Sequence, residues 1–82
     1  MGLKKLAGRV EAYRDRVKQG KADKIKPQHV ERVLDRLRRK EADLKDKLDH
    51  AHGSRDKDRL KRKLRVARKH IERAEWLLKE VA

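Results

Sequence analysis

Cysteine, phenylalanine, asparagine and threonine are absent from this chain, and proline, tyrosine, tryptophan and serine occur once each. Without cysteine there is no disulfide framework, which accords with a reducing compartment. The single serine, Ser54, suits a helix cap, so a Ser–His–Asp triad has no credible nucleophile. No glycine-rich phosphate loop occurs among the four glycines. Without asparagine or threonine, base reading would fall mainly to arginine on guanine. With only Tyr13 and Trp76 able to stack on bases, platforms of the RNA-recognition or OB type are disfavoured. No apolar run approaches the roughly 18 residues of a membrane span, and no signal-peptide core follows Lys4 and Lys5. Leu6 stands where a myristoylation motif needs serine or threonine, so Gly2 carries no such signal. The expected address is the cytoplasm.

What is present is charge. The 82 residues hold 27 Lys plus Arg against 14 Asp plus Glu, a formal net charge of +13. That length allows one small domain, residues 1–82, with no room for a deep catalytic pocket, and neither an enzyme nor a cofactor protein is expected. Charged residues make up 50% of the chain, a balance that also describes disordered basic tails, so periodicity has to decide. Val30, Leu34, Leu37, Glu41, Leu44, Leu48 and Ala51 follow one another at alternating spacings of four and three, the pattern of a coiled-coil seam. Past His52-Gly53-Ser54 the rhythm restarts as Leu60, Leu64, Ala67, Ile71, Ala74, Leu78 and Val81. Two seams joined by a short turn predict an antiparallel, coiled-coil-like helical hairpin.

Leu3, Leu6, Val10, Tyr13 and Val17 repeat the pattern more weakly before Gln19-Gly20-Lys21 breaks it, which predicts a third, N-terminal helix. A helix of about 15 residues containing Gly8 is marginal alone and needs a surface to dock on. Val33 and Leu77 flank the seam and are expected to receive Val10 and Val17. The fold class is therefore all-α, a small three-helix bundle with helices at about 3–18, 27–51 and 55–81. Pro27 is expected at a first helical position, Gly53 as the left-handed residue after a helix end and Ser54 as the next N-cap. With so modest a core, marginal stability or self-association into a homo-oligomer is expected.

The charge excess is uneven: residues 1–26, 27–52 and 53–82 carry +6, +1 and +6. Arg59, Lys61, Arg62, Lys63, Arg65, Arg68 and Lys69 follow one another with no acid between them. Pairing Leu34 with Ala74 and Leu44 with Leu64 brings Arg38 toward Arg68, Lys45 toward Lys61 and Lys47 toward Lys63. Opposite charges would serve a hairpin better, so these ten residues are the candidate polyanion-binding set. The plainer reading is a solvated charged face.

Thirteen Arg and fourteen Lys on helices supply what sequence-independent nucleic-acid binding uses, and backbone contact to duplex DNA or structured RNA is the expected mode. The alternative is a protein-interaction adaptor or small subunit docking on an acidic partner, with Trp76, Leu77 and Val66 as its apolar patch. If the N-terminal helix wraps far enough, Leu3, Leu6 or Tyr13 covers Trp76 instead. A membrane-surface helix is the weakest reading, since the apolar face is short of large residues. Glu41 is expected to be a polar seam residue that fixes register and reaches Arg68 or Lys63. His50 and His52 near Asp49, Asp56 and Asp58 match no zinc spacing and read as a polar turn without metal, while His29 and His70 read as surface or flank residues.

Overall fold

The computed structural model describes residues 2–82. Among these residues three α-helices follow one another: α1 (Leu3–Lys18), α2 (Pro27–Asp49) and α3 (Ser54–Val81), with a 3-10 turn at Ala22–Lys24. They form an all-α three-helix bundle in which α2 and α3 make the antiparallel hairpin and α1 packs on both.

The three-four rhythm places the apolar side chains as the seam requires. Leu34 and Ala74 share one buried cluster with Leu6, Val10, Val33, Leu37, Ile71 and Leu77, while Leu44 packs with Leu60, Leu64 and Ala67 in a second. Between Leu37 and Leu44 the seam position belongs to Glu41, and the core divides at its level. The expected docking of α1 is realised at Val33 and Leu77, which are 2% and 0% exposed and pack with Val10 and Leu6; Val17 stays at the edge. Sixteen residues make α1 about 24 Å long at 1.5 Å per residue, roughly half of the molecule's 46 Å length. The half of the hairpin nearest its turn is consequently a two-helix structure, whose apolar cluster α1 reaches through Leu3.

The helix ends depart from expectation in one respect. The left-handed glycine is Gly20, at φ +76°, not Gly53. Around Gly20 the chain closes α1 with two bonds of the Schellman type, from the Lys21 N–H to the Arg16 carbonyl (2.8 Å) and from the Gly20 N–H to the Val17 carbonyl (3.0 Å). Helix α2 stops at Asp49 rather than at residue 51, where the His50 backbone N–H and its ring Nδ1 (2.8 Å) both reach the Asp46 carbonyl. No left-handed residue is needed there. Gly53 is extended (φ −96°, ψ 145°) and is itself the N-cap of α3, so Ser54 is the first helical residue and its hydroxyl caps nothing. Pro27 does open α2, and Lys26 before it is extended, as the proline ring demands.

Gly8 lies mid-helix and exposed, and a Cβ added there meets no atom within 4 Å. Gly8→Ala is therefore expected to stabilise the protein by about 0.5–1 kcal/mol, read as a rise of a few degrees in Tm. A fall would mean that close packing at this point of α1 excludes a methyl group.

Candidate functional site

The half of the hairpin that α1 leaves bare carries an open groove walled by α2 and α3 alone. Lys45 from α2 and Lys61, Arg65, Arg68 and Lys69 from α3 line it, with the aliphatic side chains of Leu48 and Leu64 as its floor and the acids Asp49 and Glu72 at its margins. This brings together five of the ten basic residues singled out from the sequence. Arg38, Lys47 and Arg59 lie elsewhere, paired with Glu75 (3.7 Å), Asp43 (3.3 Å) and Asp56 (4.0 Å). Arg62 is exposed outside the groove, and Lys63 lines a separate hollow with Leu3, Lys4 and Val66.

The expected like-charge contacts thus need correcting. In the seam pairing, Arg38 stands level with His70, between Arg68 and Glu75, and its long side chain takes the acid. Lys47 finds Asp43 one turn back on its own helix, not Lys63. Across the seam Lys45 meets only cations, because its level falls between Lys61 and Arg68 and it lines the same groove as both, with Asp49 one turn on along its own helix. Among the described residues, Lys45, Lys61, Arg65 and Lys69 form no ion pair. Their positive potential is therefore concentrated in one concave strip.

Glu41 meets Arg68 as expected: the Arg68 Nε donates to the Glu41 Oε2 at 3.1 Å. The two side chains are 27% (Glu41) and 52% (Arg68) exposed, so this is a solvent-screened pair of small net energy. Its effect is on position, since it holds the Arg68 guanidinium at the groove's edge beside the break in the core.

A second basic cleft, between α1 and α2, was not foreseen. Arg9, Arg32 and Arg36 line it with Tyr13 and His29. Net charge summed over 27–52 hides it, because the acids that balance Arg32 and Arg36 in the sum need not share their face of α2. The spacing of four between Arg32 and Arg36 was the available signal.

Tyr13 faces this cleft, with the Arg16 guanidinium 5.9 Å from its ring centroid, and does not cover Trp76. Trp76 is 41% exposed and Val66 44%. The two are about 15 Å apart along α3 and line different hollows, and Leu77 is fully buried beneath α1. Trp76, Leu77 and Val66 therefore do not form one apolar patch.

Of the surface and flank alternatives for His70, the structure takes the flank. It occupies the flank position one heptad before Leu77, α1 covers it to 8% exposure, and its Nδ1 is buried with no hydrogen-bond partner among the described residues. Burial, with the Arg73 charge and more weakly Lys69, lowers its pKa below the usual 6.5, while Glu11 on α1 acts the other way. Below about pH 6.5 the unfolded chain takes up a proton that the folded chain resists. Stability from this group is therefore full above about pH 6.5 and declines as pH falls toward the lower folded pKa. Exposed His50 acts oppositely: the Asp46 carbonyl and carboxylate raise its pKa, so its contribution is present below about pH 6.5 and is lost as pH rises through the folded value. Urea unfolding at pH 7.5 and 5.5 is expected to show His70→Gln flattening the acid-side loss. An unchanged slope would sink this assignment.

Among the described residues no three His, Asp or Glu side chains gather as a metal ion requires, and no helix is long and apolar enough to cross a membrane. No family model matches the chain, and no curated protein or solved structure matches it. The functional reading accordingly rests on the groove.

Proposed function

We propose that this chain is a small nucleic-acid-binding module that seats a phosphate backbone in the α2–α3 groove, with modest sequence specificity. The observation that carries the proposal is the convergence of Lys45, Lys61, Arg65 and Lys69, unpaired among the described residues, in one groove that α1 leaves open. Lys45 shares the groove with Lys61 and Arg68, and a bound polyanion relieves their repulsion while releasing its own condensed counterions. Arg68, fixed by Glu41, sets the edge along which the backbone lies. Phosphate contact needs no catalytic step and no cofactor, and the cytoplasm is the setting in which such a ligand is at hand.

Fluorescence anisotropy of labelled duplex DNA and structured RNA, titrated across salt, tests the proposal. Micromolar or tighter binding near physiological salt is expected, with log K falling against log salt at a slope of about −3 to −4 for four phosphate contacts. Binding seen only at very low salt would reduce the charge of +13 to generic attraction. The competing reading, an acidic protein partner, draws on the exposed indole of Trp76 and is marked by complexes that survive high salt.

A further inference from the structure

The exposed Trp76 does not stand on a neutral surface. Its indole lines a hollow between α1 and α3 together with Arg14 and Lys18 from α1 and Glu72 and Arg73 from α3. Arg73 is held in place by Glu11, whose Oε1 accepts from Nη1 at 2.8 Å, whereas Arg14 and Lys18 form no ion pair among the described residues. This hollow and the basic groove share one wall residue, Glu72. Arg65, Lys69, Glu72 and Trp76 follow one another at spacings of four, three and four, which puts them on one face of α3 over about 16 Å. A strand whose phosphates lie against Arg65 and Lys69 is led along that face to the indole.

We infer that Trp76 is the stacking site for an unpaired nucleobase of a structured RNA whose backbone occupies the α2–α3 groove. The inference rests on the proposed nucleic-acid reading and narrows its ligand to RNA with an unpaired loop. The chemistry matches along the path. Arg65 and Lys69 take phosphates before the base, and Arg14 and Lys18 take the phosphates after it. The Glu72 carboxylate repels a phosphate at the junction but accepts from the exocyclic amino group of a base. The indole offers a face that any base can stack on, so the site selects for an unpaired nucleotide and not for a sequence. A fully paired duplex keeps its bases in the helix and leaves the indole uncovered.

Trp76 is the sole tryptophan, so its emission reports this position alone. The wild-type chain is titrated with a stem-loop RNA and with a fully paired RNA duplex of equal length, at one salt concentration, following emission and anisotropy together. The stem-loop is expected to quench the emission and the duplex to leave it unchanged. Trp76→Ala is expected to weaken stem-loop binding about tenfold and duplex binding less than about twofold, with Trp76→Phe retaining most of the difference. Equal binding of both RNAs with unchanged emission would overturn the stacking site while leaving the groove reading in place. If neither RNA binds, the groove reading falls and the stacking site with it. Emission that responds to protein concentration alone, or to poly-glutamate as strongly as to the stem-loop, would assign the indole to a second copy or an acidic protein and overturn the inference.

Discussion

Changing Lys45, Lys61, Arg65 and Lys69 together to glutamine is expected to lower affinity for duplex DNA or structured RNA roughly 100-fold at physiological salt, and to flatten the salt slope by about 3–4. The four share one groove and have no carboxylate partner among the described residues, so a bound backbone meets them at once. The control removes the same number of charges elsewhere, as Arg38→Gln, Lys47→Gln, Arg59→Gln and Arg62→Gln. Three of these are already paired with Glu75, Asp43 and Asp56 and lie off the groove, so the expected loss is below about tenfold. Stability separates a binding defect from a folding defect. Removing Lys45 from between Lys61 and Arg68 relieves repulsion, so the groove variant is expected to melt no lower than the wild type. If the two variants lose affinity equally, net charge governs the binding and the groove has no special part in it.

The periodic features of this structure were legible in the sequence because a seam of threes and fours fixes which side of a helix is buried. The same counting put Val33 and Leu77 on the flank that receives α1, and both are buried there. Counting could not fix the rotation of α1 about its own axis. The hairpin constrains which residues of α2 and α3 are covered, but several rotations of a weakly patterned helix satisfy it. The observed one turns Tyr13 toward Arg32 and Arg36 and gives Trp76 the cationic neighbours Arg14 and Lys18. His70 was left open between surface and flank for a related reason: its polarity suggested surface, whereas its position in the heptad shares the covered flank with Leu77.

Charge contacts were legible only to the level of a heptad. An arginine such as Arg38 can choose between residues a heptad apart, so the seam alone does not tell Arg68 from Glu75. Lys45 was readable across the seam because both residues it meets there, Lys61 and Arg68, are cations. The turns show a different limit. Gly20 and Gly53 both follow a helix, yet only Gly20 completes the backward bonds from Lys21 to Arg16 and from Gly20 to Val17. At Gly53 the chain has already ended α2 through His50 and is entering α3.

Leu77→Ala is expected to cost about 2–5 kcal/mol, the range for truncating a fully buried leucine, and to lower Tm by roughly 10–30 °C. For a small domain this is a large share of the whole stability. Leu77 is 0% exposed and packs with Leu6, Val10 and Val33, so the lost methyl groups leave a cavity where α1 meets the hairpin. Trp76→Ala, one residue away but 41% exposed, is expected to change stability by less than about 1 kcal/mol. Neighbouring residues with opposite consequences are what a covered flank beside an open hollow requires. The division of the core at Glu41 adds a further expectation, since Leu44, Leu60, Leu64 and Ala67 form a cluster separate from that of Leu77. Amide hydrogen exchange on Leu77→Ala should show protection falling first in α1 and in the α3 turns it covers, with the groove end of the hairpin following at higher denaturant. A near-neutral Leu77→Ala beside a strongly destabilising Trp76→Ala would mean that α1 docks across Trp76 and not Leu77, which would overturn the packing described.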